Sequence, residues 1–470
     1  MTDRGRMYSD RPAGGARAVV LVDGEHHPPV LRRALTRLAD DGLEPVQVVV
    51  LGGGEKLDEP GVPPDLGVPA RWPASAEHEL LEVLRDTAPD VVIDLSGPPV
   101  VEAPRRLRLA AIALAAGVPY DSPGVRYTPP DLPWLTTRPT VAVVATGKRT
   151  GKTAMSGALV RHAQRRGRTP VVVAMGRGGP PEPIVIPAGE SLDPERLLEV
   201  VEAGGHAASD FYEDAVTTGA ASIGCYRVGD GPAGEVALSN VAAGVAQAEE
   251  QPGSDLTVLE GSGSALPPCA ADATALIVPA GEDPGQLLAS LPLRFILADA
   301  VLIGFAGEDA DDARLKTLVR SVRELLNQLP RRDDQPVPEP VLTDLRPHPL
   351  GDVSGRRVFV VSTARGRAAD RLTKTLEERF GATVVGASQN LADRPALLDD
   401  LSHAPPHDAL VTELKAAAVD VVVRAARDNG TDVVFCDNRP EPVGGVDPDA
   451  LEGAFDRLLS LADRRHRARR

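Results

Sequence analysis

Cysteine is scarce in this chain, and the three present, Cys225, Cys269 and Cys436, lie far apart with no C-x-x-C pair. Such spacing excludes a disulfide framework and a zinc site of the usual pattern, and it fits a reducing compartment. Aromatic residues amount to 3%, too few for the stacking of successive nucleic-acid bases to be a theme. Positive charge is also in deficit. A formal net charge of -16 argues against a general nucleic-acid surface, which needs a basic face to displace counterions from phosphates. No apolar run approaches the length of a membrane span, and residues 1–12 are polar and charged, without the apolar core of a signal peptide. These absences predict a cytoplasmic protein with neither nucleic acid nor membrane as partner, while local basic clusters leave room for a small anionic one. A homodimer stays open.

What is present is a chain of 470 residues with 42% hydrophobic residues spread throughout, too long for one core and suggestive of roughly two to four domains. Short apolar strands alternate with amphipathic helices. In residues 1–135 the strands Arg17–Val22, Val46–Leu51 and Val91–Leu95 flank a helix through Leu31, Leu35 and Leu38, a βαβ pattern that implies a parallel sheet. The Pro-rich stretch Pro119–Pro139 reads as a linker. Residues 136–330 carry strands at Val141, Thr169–Met175, Leu256–Leu259, Ala275–Val278 and Ala300–Ile303, and a second linker spans Pro330–Pro340. Residues 341–470 repeat the habit with strands at Arg357–Ser362, Ala382–Val385 and Asp432–Phe435, an alanine-rich helix over Glu413–Asn429, and an Arg-rich end from Asp463 that reads as a frayed tail. The expected fold class is α/β: three α/β segments around a central P-loop NTPase-type parallel sheet, with Rossmann-like N- and C-terminal domains.

One stretch carries most of the chemistry. Val141-Ala-Val-Val-Ala-Thr-Gly-Lys-Arg-Thr-Gly-Lys-Thr153 reads as a buried strand entering a phosphate-binding loop and then a helix. Backbone N–H groups around Gly147, Thr150 and Gly151 can wrap terminal phosphates, Lys152 can reach the β/γ oxygens, and Thr153 can ligate the accompanying magnesium. The loop is one residue short of the usual spacing, with Thr146 where the first glycine belongs, and it adds two cations, Lys148 and Arg149. A phosphate site also needs a carboxylate at the end of a neighbouring strand. Leu256-Thr-Val-Leu-Glu260-Gly-Ser-Gly-Ser264 offers Glu260, with Ser262 between two glycines.

Weaker signals surround it. Met175-Gly-Arg-Gly-Gly179 lies at a strand C-terminus, where open parallel sheets bind ligands, so Arg177 can clamp an anion beside Gly178 and Gly179; a plain surface turn explains the same residues. In Gly205-His-Ala-Ala-Ser-Asp210, His206 and Ser209 are ligand candidates, though Ser209 or Asp210 serves equally as a helix cap. Arg227 is a further candidate anion contact, with a surface arginine as the default reading. The loop Asp23-Gly-Glu-His-His-Pro-Pro29 offers Asp23, Glu25, His26 and His27 as substrate contacts, or merely as a solvated turn.

These motifs, with Thr412-Glu-Leu-Lys-Ala-Ala-Ala-Val-Asp420 and Asp437-Asn-Arg-Pro440 near the end, resemble the cyclic 2,3-diphosphoglycerate synthetases across all three segments. The resemblance implies ATP-dependent ring closure of 2,3-diphosphoglycerate with release of ADP and phosphate, ATP and Mg2+ being required. Lys148, Arg149, Lys152 and Arg177 would then converge on two polyanions, at the junction of the first and second domains. The loop is also similar to that of dethiobiotin synthetase, which leaves a kinase or ligase acting on another small acid as an alternative. A nucleotide-driven switch ATPase is a third, disfavoured because its signature lysine belongs where Gly147 stands.

Overall fold

The computed structural model describes residues 15–56, 61–445 and 447–470; the polar stretch 1–12 lies outside them. Six strands, β1 (Ala16–Val22), β2 (Leu43–Val50), β3 (Ala70–Arg71), β4 (Val91–Asp94), β5 (Tyr120–Ser122) and β6 (Val125–Tyr127), build the N-terminal sheet in the order β3-β2-β1-β4-β5-β6. All neighbours run parallel except the β5/β6 edge. The helix Pro28–Asp40 buries Leu31, Leu35 and Leu38 against it, the one-face spacing of an amphipathic helix. The expected linker at Pro119–Pro139 is partly sheet: the prolines conceal β5, whose buried Tyr120 donates its hydroxyl to Asp94 at 2.5 Å.

A second sheet of 13 strands holds the rest of the chain. Its strands are β7 (Thr140–Ala145), β8 (Pro170–Gly176), β9 (Ile184–Ile186), β10 (Ala221–Val228), β11 (Leu238–Ser239), β12 (Leu256–Glu260), β13 (Ala273–Pro279), β14 (Ala300–Gly304), β15 (Val341–Pro349), β16 (Arg357–Val361), β17 (Thr383–Ser388), β18 (Ala409–Thr412) and β19 (Asp432–Pro442). The order is β11-β10-β8-β12-β7-β13-β14-β15-β19-β18-β16-β17, with β9 on β10. β7 and β12, fully buried along their length, sit at the centre, as continuous apolar runs require. β15 is the seam: it pairs parallel with β14 at two positions and antiparallel with β19 from Thr343 to Pro349. One sheet therefore runs through both the second and third segments.

The N-terminal unit docks on the second through the helix Ala103–Ala115, which packs on Leu293–Leu297 and shares its core with β7 and β13. The helix expected over Glu413–Asn429 starts later. β18 ends at Thr412, and the helix opens with a π-helical turn, Ala418–Val423, before Arg424–Asn429.

The C-terminal end is not frayed. It is the last part of the helix Ala450–Arg469, which buries Leu451, Phe455, Leu458, Ala462 and His466. Arg469 donates to the wholly buried Asp272 at 3.1 Å and lies 4.1 Å above the Trp134 ring. Charge spacing alone conceals this, because the acids that receive these arginines come from distant strands. Arg469→Ala is expected to lower stability by about 2 kcal/mol by stripping a charged hydrogen bond from a buried carboxylate. Exposed Arg467→Ala should stay within about 0.5 kcal/mol; urea denaturation of both variants checks the difference.

Candidate active site

β7 delivers the chain to the loop, and Gly151 begins the helix Lys152–Arg165 with a left-handed φ of 85°, a conformation that glycine adopts without strain. The Lys152 ammonium is tucked back into the loop, donating to the carbonyls of Gly147 at 3.2 Å and Gly263 at 3.1 Å. Burial pulls its pKa down, while the charges of Glu260 and Asp210 pull it up. Thr146, in the place of the missing glycine, donates its hydroxyl to Glu282 at 2.9 Å, so the shortened loop is tied to the end of the neighbouring strand β13. Lys148 and Arg149 stand exposed, and Thr150 is buried.

Glu260 closes β12 beside Val143 of β7 and Ala174 of β8. The Thr153 hydroxyl donates to its Oε1 at 2.8 Å. The carboxyl is wholly buried, and burial, reinforced by the charge of Asp210, pushes its pKa up to about 8. Beneath it the helix Asp210–Thr218 turns three acids inward, Asp210, Glu213 and Asp214. Asp214 is buried beside Glu260, and burial first, then that neighbour's charge, drives it well above the usual carboxylate range. Asp214 and Glu260 share a side-chain hydrogen bond, one carboxyl donating to the other.

Burial likewise pushes Glu213 up to about 7, against the attraction of Lys415, whose Nζ lies 3.8 Å from its Oε1. Between the unfolded pKa near 4.5 and about 7, the native state keeps a proton that the unfolded chain has lost. Stability should therefore fall as pH rises through that window. Thermal melts from pH 5 to 8 check this: Glu213→Gln should show a shallower decline in Tm than the parent.

The loop, Asp210 and Glu260 line a cavity of about 1160 Å³. On its β8 side Arg177 is half-exposed, 3.5 Å from Asp230. Gly178 packs on the His206 ring, and a side chain at Gly179 would strike the Cys225 carbonyl at 2.0 Å. Gly179 is thus required by the contact with β10 rather than by a ligand. Arg227 is not a surface residue: it is buried, and its guanidinium donates to the Ser262 carbonyl at 2.7 Å, fixing the Gly261–Ser264 turn. Ser262, His206 and Ser209 line the cavity. Ser209 stands at the helix N-cap position, but its hydroxyl donates to the His206 carbonyl at 2.5 Å instead of capping.

Models of three domains of one family match in chain order: cyclic 2,3-diphosphoglycerate synthetase N-terminal domain at residues 17–128, P-loop domain at 140–330 and C-terminal domain at 349–439. A protein of Rubrobacter xylanophilus named cyclic 2,3-diphosphoglycerate synthetase is 41% identical over 456 residues, 95% of this chain and 98% of its own. This chain belongs to that synthetase family. Proteins of the same name from Thermococcus kodakarensis and Methanothermus fervidus are 38% and 35% identical, covering 91% and 92% of this chain and 96% of each relative. The P-loop domain and these relatives make the chain an ATP-dependent enzyme of the synthetase class.

In this member of the family the cavity lies between the P-loop unit and the C-terminal segment, not at the expected junction of the first and second domains. Its far wall is the β16 loop Ser362–Arg365, with Glu413 and Lys415 after β18. The topology explains the change: β15 seams the two units together, which sets the ends of β16 and β18 opposite the loop. Asp23, Glu25, His26 and His27 lie outside this cavity. Asp23 is committed to its own turn and to the loop after β4, accepting from the Glu25 N–H, the His26 ring and the Gly97 N–H at 2.7 to 3.0 Å. His27 takes the N-cap position of the helix Pro28–Asp40.

Asp210 was read only as a helix cap, yet Asp210, Glu213 and Asp214 fall at i, i+3 and i+4, one face of a helix, and that spacing was available as a signal of the acids turned toward Glu260. Glu413 and Lys415 stood in the Thr412–Asp420 motif without a role assigned, and Phe305 had no signal, since only the sheet order brings all three to the loop.

Proposed function

We propose that the chain closes 2,3-diphosphoglycerate to its cyclic form, using ATP and releasing ADP and phosphate. The observation that carries this reading is a single cavity holding two sets of cations: those of the phosphate loop, and Arg177 at the end of β8. Its volume of about 1160 Å³ exceeds the usual upper range for one small ligand, roughly 1,000 Å³. A triphosphate on the loop points its last phosphate toward Lys148 and Arg149, where a second polyanion would be held.

The γ-phosphoryl group passes to one phosphate of the substrate, giving a diphosphate. An oxygen of the other phosphate then attacks the inner phosphorus and expels inorganic phosphate, closing the ring. Both steps are phosphoryl transfers, served by positioning and charge neutralisation rather than by a strong base. Lys152 is placed for the β/γ oxygens, and Arg177 for the acceptor. Hard oxygen donors at Thr153 and Glu260, 2.8 Å apart at the mouth of the loop, suit magnesium. Among the described residues no group of three or more His, Cys, Asp or Glu is arranged for a metal, so phosphates and water would complete its shell. No helix among them is long and apolar enough to cross a membrane, in keeping with a cytoplasmic enzyme.

Release of ADP with and without 2,3-diphosphoglycerate tests the reading. Stimulation of at least about tenfold is expected, the scale of well-placed substrate binding energy; equal release in both would favour a switch ATPase.

A further inference from the structure

Phe305 follows β14 with a left-handed φ of 58°, a strained conformation for a bulky residue. Its backbone neighbours hold it there. The Gly304 carbonyl accepts from Ala280 N–H at 2.8 Å, and the Ala306 N–H donates to the Thr343 carbonyl at 2.9 Å. The strain is spent on aiming the ring outward: of the seven phenylalanines in the chain, Phe305 is the exposed one, with 39% of its surface open. That surface opens into the cavity. Ring atoms lie 3.6 and 3.7 Å from where a Cβ on Gly151 would stand, and a methyl of Leu345 lies at 3.5 Å. Leu345 and Pro347, both on β15, also line the cavity. The phosphate loop thus has a partly open aromatic ring and an apolar strand edge beside it, on the β14 side rather than the β8 side where Arg177 stands.

We propose that Phe305 is the stacking platform for the nucleobase of the triphosphate, with Leu345 and Pro347 as the apolar edge of the base site. The assignment rests on the phosphate-loop reading above and adds what that reading lacks, a place for the base. It also gives the C-terminal segment a part in nucleotide binding, because β15 belongs to the seam between the two units. Stacking on an aromatic ring tolerates any base and is lost on truncation to alanine.

The test compares ATP with inorganic tripolyphosphate, which presents the phosphates without a base, by calorimetric titration in the presence of magnesium. Phe305→Ala is expected to weaken ATP roughly ten- to hundredfold while leaving tripolyphosphate within about twofold. Phe305→Trp should retain ATP affinity, and ATP but not tripolyphosphate should quench the introduced indole. Unchanged ATP affinity in Phe305→Ala would overturn the platform, and so would an equal loss of both ligands, which marks a purely structural role. A parent protein that binds neither ligand would overturn the phosphate-loop reading and the platform together.

Discussion

Replacing Lys152 with alanine is expected to reduce turnover by at least about a thousandfold with the fold intact. Lys152 is 9% exposed and its ammonium is held by the Gly147 and Gly263 carbonyls, within the loop that the phosphates would fill. Phosphoryl transfer spreads charge over the moving oxygens, and a buried cation in a dry site stabilises that charge far more than water does. The fold should survive, because burial already disfavours the charged ammonium and the turn that carries Gly263 is held separately by Arg227. Steady-state ADP release, read beside circular dichroism, checks both halves. Turnover within tenfold of the parent would contradict the phosphate-loop assignment.

Glu260→Gln should move activity and stability in opposite directions. Activity is expected to fall by about a hundredfold or more, with a weakened dependence on magnesium, because the amide keeps the Thr153 contact but loses the charge that a cation needs. Stability of the ligand-free protein is expected to rise by about 1 kcal/mol, since the carboxyl is wholly buried, and burial with the charge of Asp210 pushes it up to about 8. A group kept for structure alone would lose stability on this change. Magnesium titrations of turnover and a urea unfolding curve separate the two outcomes.

The same residues show how far the sequence could be read. Thr146 to Thr153 and Glu260 were legible because each announces itself within a few positions, by glycine spacing or by a carboxylate at a strand end. Arg177 and the Gly178–Gly179 turn were found at the right strand end, although contact with Cys225 explains Gly179 better than ligand approach does. β15 was hidden by the prolines at 347 and 349, and β10 by Gly224, where a side chain would meet the Phe211 ring at 2.5 Å. Once β15 went unseen, the partnership of the P-loop unit with the C-terminal segment went unseen too, and the Asp23–His27 loop took its place. Buried Arg227 and the ordered end at Arg469 were misjudged for one reason: arginine reads as surface until its acceptors, here the Ser262 carbonyl and Asp272, are known.

Phosphorus NMR of the protein with ATP, magnesium and 2,3-diphosphoglycerate tests the central claim most directly. The account predicts new resonances of a cyclic diphosphate, with ADP and inorganic phosphate appearing in equal amounts. ATP consumed without the cyclic product, or a phosphorylated substrate that accumulates and never closes, would contradict it.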